Sequence, residues 1–168
     1  MLNTFTEYFA GFTTGAIALR LLFAAVLGCI IGLERATKHH PAGMRTFALV
    51  CLGAAASAIV NIYLGTAFGT GRTDLSRIPA GVVSGIGFLG VGTIIITGKN
   101  QVRGLTTAAG LWACAIIGLS AGIGFFEGTI IAQIFVIFVL RVLEPVDKHL
   151  RTQAKDFDLY VEFSDVQS

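Results

Sequence analysis

Charged residues are scarce in this chain, making up 13% of 168 residues. A water-soluble domain carries roughly a quarter. With so few charges the chain cannot solvate the surface of an ordinary globular fold, and a net charge of +2 offers no basic face for nucleic acid. Proline occurs three times, as Pro41, Pro79 and Pro145, always at the margin of an apolar stretch. Three cysteines, Cys29, Cys51 and Cys114, lie inside apolar stretches at no metal-ligand spacing. They exclude a disulfide scaffold and a zinc site, and read as small packing residues. The first fifteen residues lack the basic segment of a secretory leader. No Ser/His set, aspartate pair or metal-binding set falls within the apolar stretches, so neither an enzyme nor a bound cofactor or metal is expected.

What remains is apolar surface and glycine. Apolar residues make up 54% of the chain, the mean hydropathy is +0.78, and glycine occurs 21 times. A bilayer core of ~30 Å takes about 20 apolar residues in helical form. Five stretches qualify: 15–33, 43–64, 78–97, 105–122 and 124–142. They do not alternate as barrel strands would, so helices alone can satisfy their backbone in lipid. The expected fold is an all-α bundle of five transmembrane helices, residues 1–146, with a cytosolic tail over 147–168. Basic residues gather after the first stretch (Arg35, Lys38, Arg45), after the third (Lys99, Arg103) and after the fifth (Arg141, Lys148, Arg151, Lys155). Only Arg72 and Arg77 fall in the connection between the second and third. By the positive-inside rule the N-terminus is outside and the C-terminus cytoplasmic.

Membrane helices associate through small residues that let backbones approach. Ala24, Gly28 and Gly32 repeat at every fourth position of the first stretch, Gly81 and Gly85 do so in the third, and Gly110, Cys114 and Gly118 in the fourth. These ridges predict a tight centre made by spans one, three and four, with spans two and five turned to lipid. The string Gly85–Gly90 matches G-x-G-x-x-G, the dinucleotide fingerprint. It lies in a membrane span with no acid about 20 residues on, so it reads as packing glycine.

The polar residues at the ends of spans are the candidate functional set: Glu34, Arg35, Arg45, Asp74, Arg77 and Arg103. A carboxylate at a helix end such as Glu34 needs a partner, and Arg35, Arg45 and Arg103 are expected on its side. Asp74 or Ser76 is expected to cap the third helix. Arg20, inside span one, either snorkels to the interface or pairs within the bundle, with Asp74 the nearest plausible partner. Gln133, alone in span five, is expected to bond to another helix or a second subunit.

Five strings in fixed order resemble the MgtC/SapB family of bacterial inner-membrane proteins. Gly28-Cys-Ile-Ile-Gly32-Leu-Glu34-Arg35 ends span one and Pro41-Ala-Gly43-Met-Arg45-Thr46 opens span two. Asp74-Leu-Ser-Arg77-Ile leads into Gly81-Val-Val-Ser84-Gly85-Ile-Gly87-Phe88-Leu-Gly90, and Arg103-Gly104-Leu-Thr106-Thr107-Ala108-Ala109 opens span four. The family commonly has Asp-Pro-x-Arg where this chain has Asp74-Leu-Ser-Arg77, and a small residue where it has Val91. Several members carry an ACT-like domain after the last span, and the alternating stretch 156–163 reads as one strand of such a domain, truncated or paired with another chain. The resemblance implies a multi-pass protein of the plasma membrane, linked to magnesium limitation, stress adaptation and survival in macrophages. It implies a regulator acting on other inner-membrane proteins, the ATP synthase among them; apart from the resemblance, the Phe-rich run Phe135–Leu140 reads as a lipid-facing or homo-oligomer-facing surface. The competing expectation is a carrier or channel for Mg²⁺ or another ion.

Overall fold

A computed structural model describes residues 12–37, 42–68, 74–96 and 102–153. The described residues form five helices and one short hairpin: α1 (Thr14–Thr37), α2 (Met44–Phe68), α3 (Arg77–Gly92), β1 (Ile95–Ile96), β2 (Val102–Arg103), α4 (Leu105–Ile123) and α5 (Phe126–Gln153). Thr13 opens α1 by accepting the Ala16 N–H on its hydroxyl at 3.3 Å, a serviceable N-cap. Gly124 closes α4 at φ 88°, and the N–H groups of Gly124 and Phe125 return to the carbonyls of Ala121 and Ser120. That left-handed stop satisfies two orphan carbonyls and turns the chain directly into α5.

Four of these helices are long and apolar enough to cross a membrane: α1, α2, α4 and the Phe126–Val146 part of α5. The third expected span is where sequence and structure part. The helix α3 has 16 residues, roughly 24 Å at 1.5 Å per residue, short of the hydrocarbon thickness. Its end is dictated by Thr93-Ile94-Ile95-Ile96-Thr97, five β-branched residues in a row. Such side chains crowd a helix and suit a strand. Thr93 and Ile94 tighten the last turn with bonds to the Gly90 and Val91 carbonyls. The backbone then enters β1, which pairs antiparallel with β2, Ile95 opposite Arg103. At the other end of the chain, α5 continues beyond residue 146 to Gln153, and the strand read over 156–163 lies outside the described residues.

The bundle centre also differs from the expected one. α2, expected to face lipid, is held between α1 and α4, its two main partners, while α3 packs at the edge against α4 and α2. A Cβ added at Gly28 would lie 2.6 Å from the Phe47 carbonyl oxygen, and one at Gly32 would collide with the Met44 backbone. On the opposite flank, Cβ atoms at Gly118 and Gly122 would collide with the carbonyls of Cys51 and Ala55. Gly110 faces the Phe47 ring, 3.4 Å from where its Cβ would be. Two glycine ridges therefore grip one helix. α2 permits this because its inward positions are small, with Cys51, Ala54, Ala55 and Ala58 all buried. Phe47, fully buried, plugs the gap between α1 and α4 near one end. Gly81 and Gly85 on α3 have nothing within 4 Å of a built Cβ, so this third ridge lies open.

Candidate functional site

The topology sorts the candidate residues between the two ends of the bundle. Glu34 and Arg35 close α1, Arg45 opens α2, and Arg103 stands on β2 immediately before α4. Asp74 and Arg77 lie at the far end, where α2 has finished and α3 begins.

At the first end a buried cation is built into the helix junction. Arg35 is 3% exposed although it sits in the last turn of its helix. Its Nη2 donates to the Thr107 hydroxyl at 3.1 Å, across 72 residues of sequence. Thr107 is fully buried in the first turn of α4. That turn is positioned by Gly104, at φ 98°, where a Cβ would collide with the Thr93 carbonyl. Only glycine takes this conformation at such close approach. Both carboxylate oxygens of Glu34 are buried, as is the Arg35 Nε. The charges of Glu34 and Glu144 act on the Arg35 guanidinium. A cation at a helix C-terminus is favoured by the helix dipole as well. The arrangement ties α1 to the start of α4 with a charge-assisted hydrogen bond, and the carboxylates from α1 and α5 offset part of the cost of burying the cation. Arg45 and Arg103 are exposed on the same end.

At the opposite end Arg20 plays the mirror part. It is 2% exposed, which places it within the protein; its Nη1 donates to the Gly122 carbonyl at 3.1 Å. Its guanidinium also lies 5.8 Å from the Phe12 ring centroid and against Gly124, whose Cβ would come within 3.2 Å. Arg20 thus satisfies an orphan carbonyl at the C-terminus of α4. Asp74, its expected partner, is instead exposed in the turn before α3, accepting the Ser76 hydroxyl at 2.6 Å and the Ser76 N–H at 2.9 Å. Those bonds, the hydroxyl first, hold its carboxyl below the usual carboxylate range. Ser76 occupies the N-cap of α3 without a side-chain cap bond, so the Asp74 turn replaces the expected cap. Arg77 is exposed beside it. Asn61 anchors this turn from α2 through Nδ2 to the Leu75 carbonyl at 2.7 Å.

Gln133 bonds another helix, its Nε2 donating to the Leu27 carbonyl of α1 at 3.2 Å. Sequence reasoning passed over Glu144 altogether and left Thr107 with a generic helix-bonding role. The signal for Glu144 was its place three residues after Arg141 in a helix whose preceding turns are apolar. Among the described residues no group of three or more His, Cys, Asp or Glu is arranged to hold a metal ion.

Long apolar helices, glycine ridges and arginines buried at helix junctions define a multi-pass membrane protein. The MgtC family profile matches residues 21–149, and the chain belongs to that family. It is 36% identical over 155 residues to an uncharacterized protein of Haemophilus influenzae, covering 89% of this chain and 65% of that one. It is 41% identical over 131 residues to Protein MgtC of Brucella abortus, covering 78% and 52%. To Protein SapB of Bacillus subtilis it is 32% identical over 155 residues, covering 89% and 67%. The chain thus spans between about half and two thirds of the length of these relatives. No solved structure matches it.

Proposed function

We propose that this chain is a non-enzymatic regulator in the bacterial plasma membrane, acting on other membrane proteins under magnesium limitation and stress. The observation that carries this reading is the sign of the buried charge. Among the described residues the charged residues buried as a whole are Arg20 and Arg35, one near each end of the bundle, and the buried carboxylate oxygens of Glu34 lie on the residue next to Arg35. Mg²⁺ keeps its waters and is held by carboxylates, and two buried arginines oppose a cation moving along the bundle. The interior is also filled by close backbone approach, as at Gly28, Gly32, Gly118 and Gly122. A regulator needs a rigid body with exposed polar ends, and Arg45, Asp74, Arg77 and Arg103 supply such groups at both ends.

The same reading takes α3 and the hairpin together as a fifth crossing. Gly32 meets Met44 at one end, so α2 starts there and finishes at the other. Arg35 bonds Thr107, so α4 starts back at the first end. The connection through α3 therefore runs back towards the first end, where β1–β2 projects beyond the helix and returns at Gly104, against Thr93, before α4 begins. An odd number of crossings places the termini on opposite sides, with the basic ends of α1 and α5 inside.

Arg45→Ala is the test. The side chain is exposed, so the variant is expected to insert at wild-type levels, quantified by membrane immunoblot. It is expected not to restore growth of a deletion strain in low-magnesium medium. Full complementation by Arg45→Ala would remove this face from the account.

A further inference from the structure

A cavity of about 320 Å³ opens between the second half of α1 and α5. Ile30, Leu33, Glu34 and Thr37 line it from α1, and Ile137 and Arg141 from α5. Its polarity is graded along the helix axis. Ile30, Leu33 and Ile137 form the deep part, and Thr37 and Arg141 stand one turn further out, roughly 6 Å by helical rise. Glu34 lies between them, but both of its oxygens are buried and its charge acts on the neighbouring Arg35. The group left to set the charge at the mouth is the exposed Arg141 guanidinium. Of the helix pairs around the bundle, α1 and α5 are among the least closely packed, which is why a space exists there.

We propose that this groove holds one phospholipid, its phosphate on Arg141 and its first acyl methylenes against Ile30, Leu33 and Ile137, while the Thr37 hydroxyl at the mouth stays bonded to the Glu34 carbonyl. A guanidinium fork matches phosphate oxygens bidentately. A free phosphate would gain nothing from the apolar walls, whereas a lipid satisfies both halves at the depth where its own headgroup lies. Ile30 is 42% exposed and Leu33 51%, apolar surface that water would not tolerate and an acyl chain covers. The lipid bridges two helices that touch little by themselves, and filling the gap stabilises the seat of α5. The inference does not rest on the regulatory role.

The experiment is native mass spectrometry of the chain purified in mild detergent, with dioleoylphosphatidylglycerol added back to delipidated protein and thermal unfolding followed in parallel. The wild type is expected to retain one phospholipid per chain and to gain thermal stability on add-back. Arg141→Gln, at an exposed position, and Leu33→Trp, which fills the groove, are expected to retain about tenfold less, the loss of a charge-assisted bond pair. Arg103→Gln, an exposed arginine at the same end, is expected to behave as wild type. Equal retention by Arg141→Gln, equal loss in Arg103→Gln, or equal protection by inorganic phosphate would each overturn the assignment.

Discussion

Gly118→Val is expected to leave no folded protein in detergent extracts. A Cβ at this position would collide with the Cys51 carbonyl oxygen and lie 2.9 Å from the Ala54 Cβ. Those atoms belong to the backbone and stub side chains of α2 and cannot rotate away. The helices would have to separate, and α2 is already pressed from its other flank by Gly28 and Gly32. Overpacking of a close-packed interior costs about 1–3 kcal/mol where a side chain can yield, and more where only backbone faces the insertion. Against a total stability of order 5–15 kcal/mol, the bundle is expected to be lost. Gly85→Val makes the same chemical change where a Cβ meets nothing within 4 Å, and is expected to unfold within a few degrees of wild type. Fluorescence-detected size exclusion after a heating series distinguishes the two. Similar behaviour of both variants would contradict the placement of α2 between glycine ridges.

Arg35→Leu is expected to be the most damaging change among the charged residues. It strips the partner from Thr107 and the positive charge from beside Glu34 and Glu144. Removing one member of a buried charge cluster costs about 3–5 kcal/mol, because the remaining charge stays buried and uncompensated. Thr107→Val removes only the hydroxyl acceptor and is expected to cost about 1–3 kcal/mol. Arg35→Lys keeps the charge without the planar fork and is expected to fall between them. The decisive readout is the double variant Arg35→Leu with Glu34→Gln. If the damage comes from an uncompensated carboxylate, neutralising Glu34 restores part of the lost stability in an SDS-unfolding titration. Strict additivity of the two changes would mean that Glu34 and Arg35 are not coupled.

Much of this fold could be read before its structure was known, and the remainder failed for identifiable reasons. The apolar stretches gave four helices because length and hydropathy act along the chain and need no knowledge of neighbours. The glycine spacing in spans one and four identified the ridges, but a ridge does not name what lies in it. The small run Gly53–Ser57 on α2 was the missing half of the pattern, easily overlooked because alanine also reads as ordinary helix former. For α3 the difference lies in where the helix ends, at Gly92 where the apolar stretch runs to 97. Ile94, Ile95 and Ile96 add to hydropathy as leucines would, yet branching at Cβ suits Ile95 and Ile96 to β1. Glu34 and Arg35 were legible from the motif that ends α1. Their connection to Thr107 was not, since it depends on α4 starting at the end where α1 finishes. Glu144 carried a signal in its place after Arg141, but its action on Arg35 arises from the packing of α5.

The central claim, that two buried arginines and a close-packed interior serve a regulator and not a conductor of cations, is tested most directly by flux. The purified chain is reconstituted into liposomes with an entrapped Mg²⁺ indicator, beside Asp74→Asn and empty vesicles, after a folding check by circular dichroism. The account predicts Mg²⁺ entry no faster than in empty vesicles for both proteins. Saturable entry through the wild type that is lost in Asp74→Asn would contradict it and make the chain a transporter.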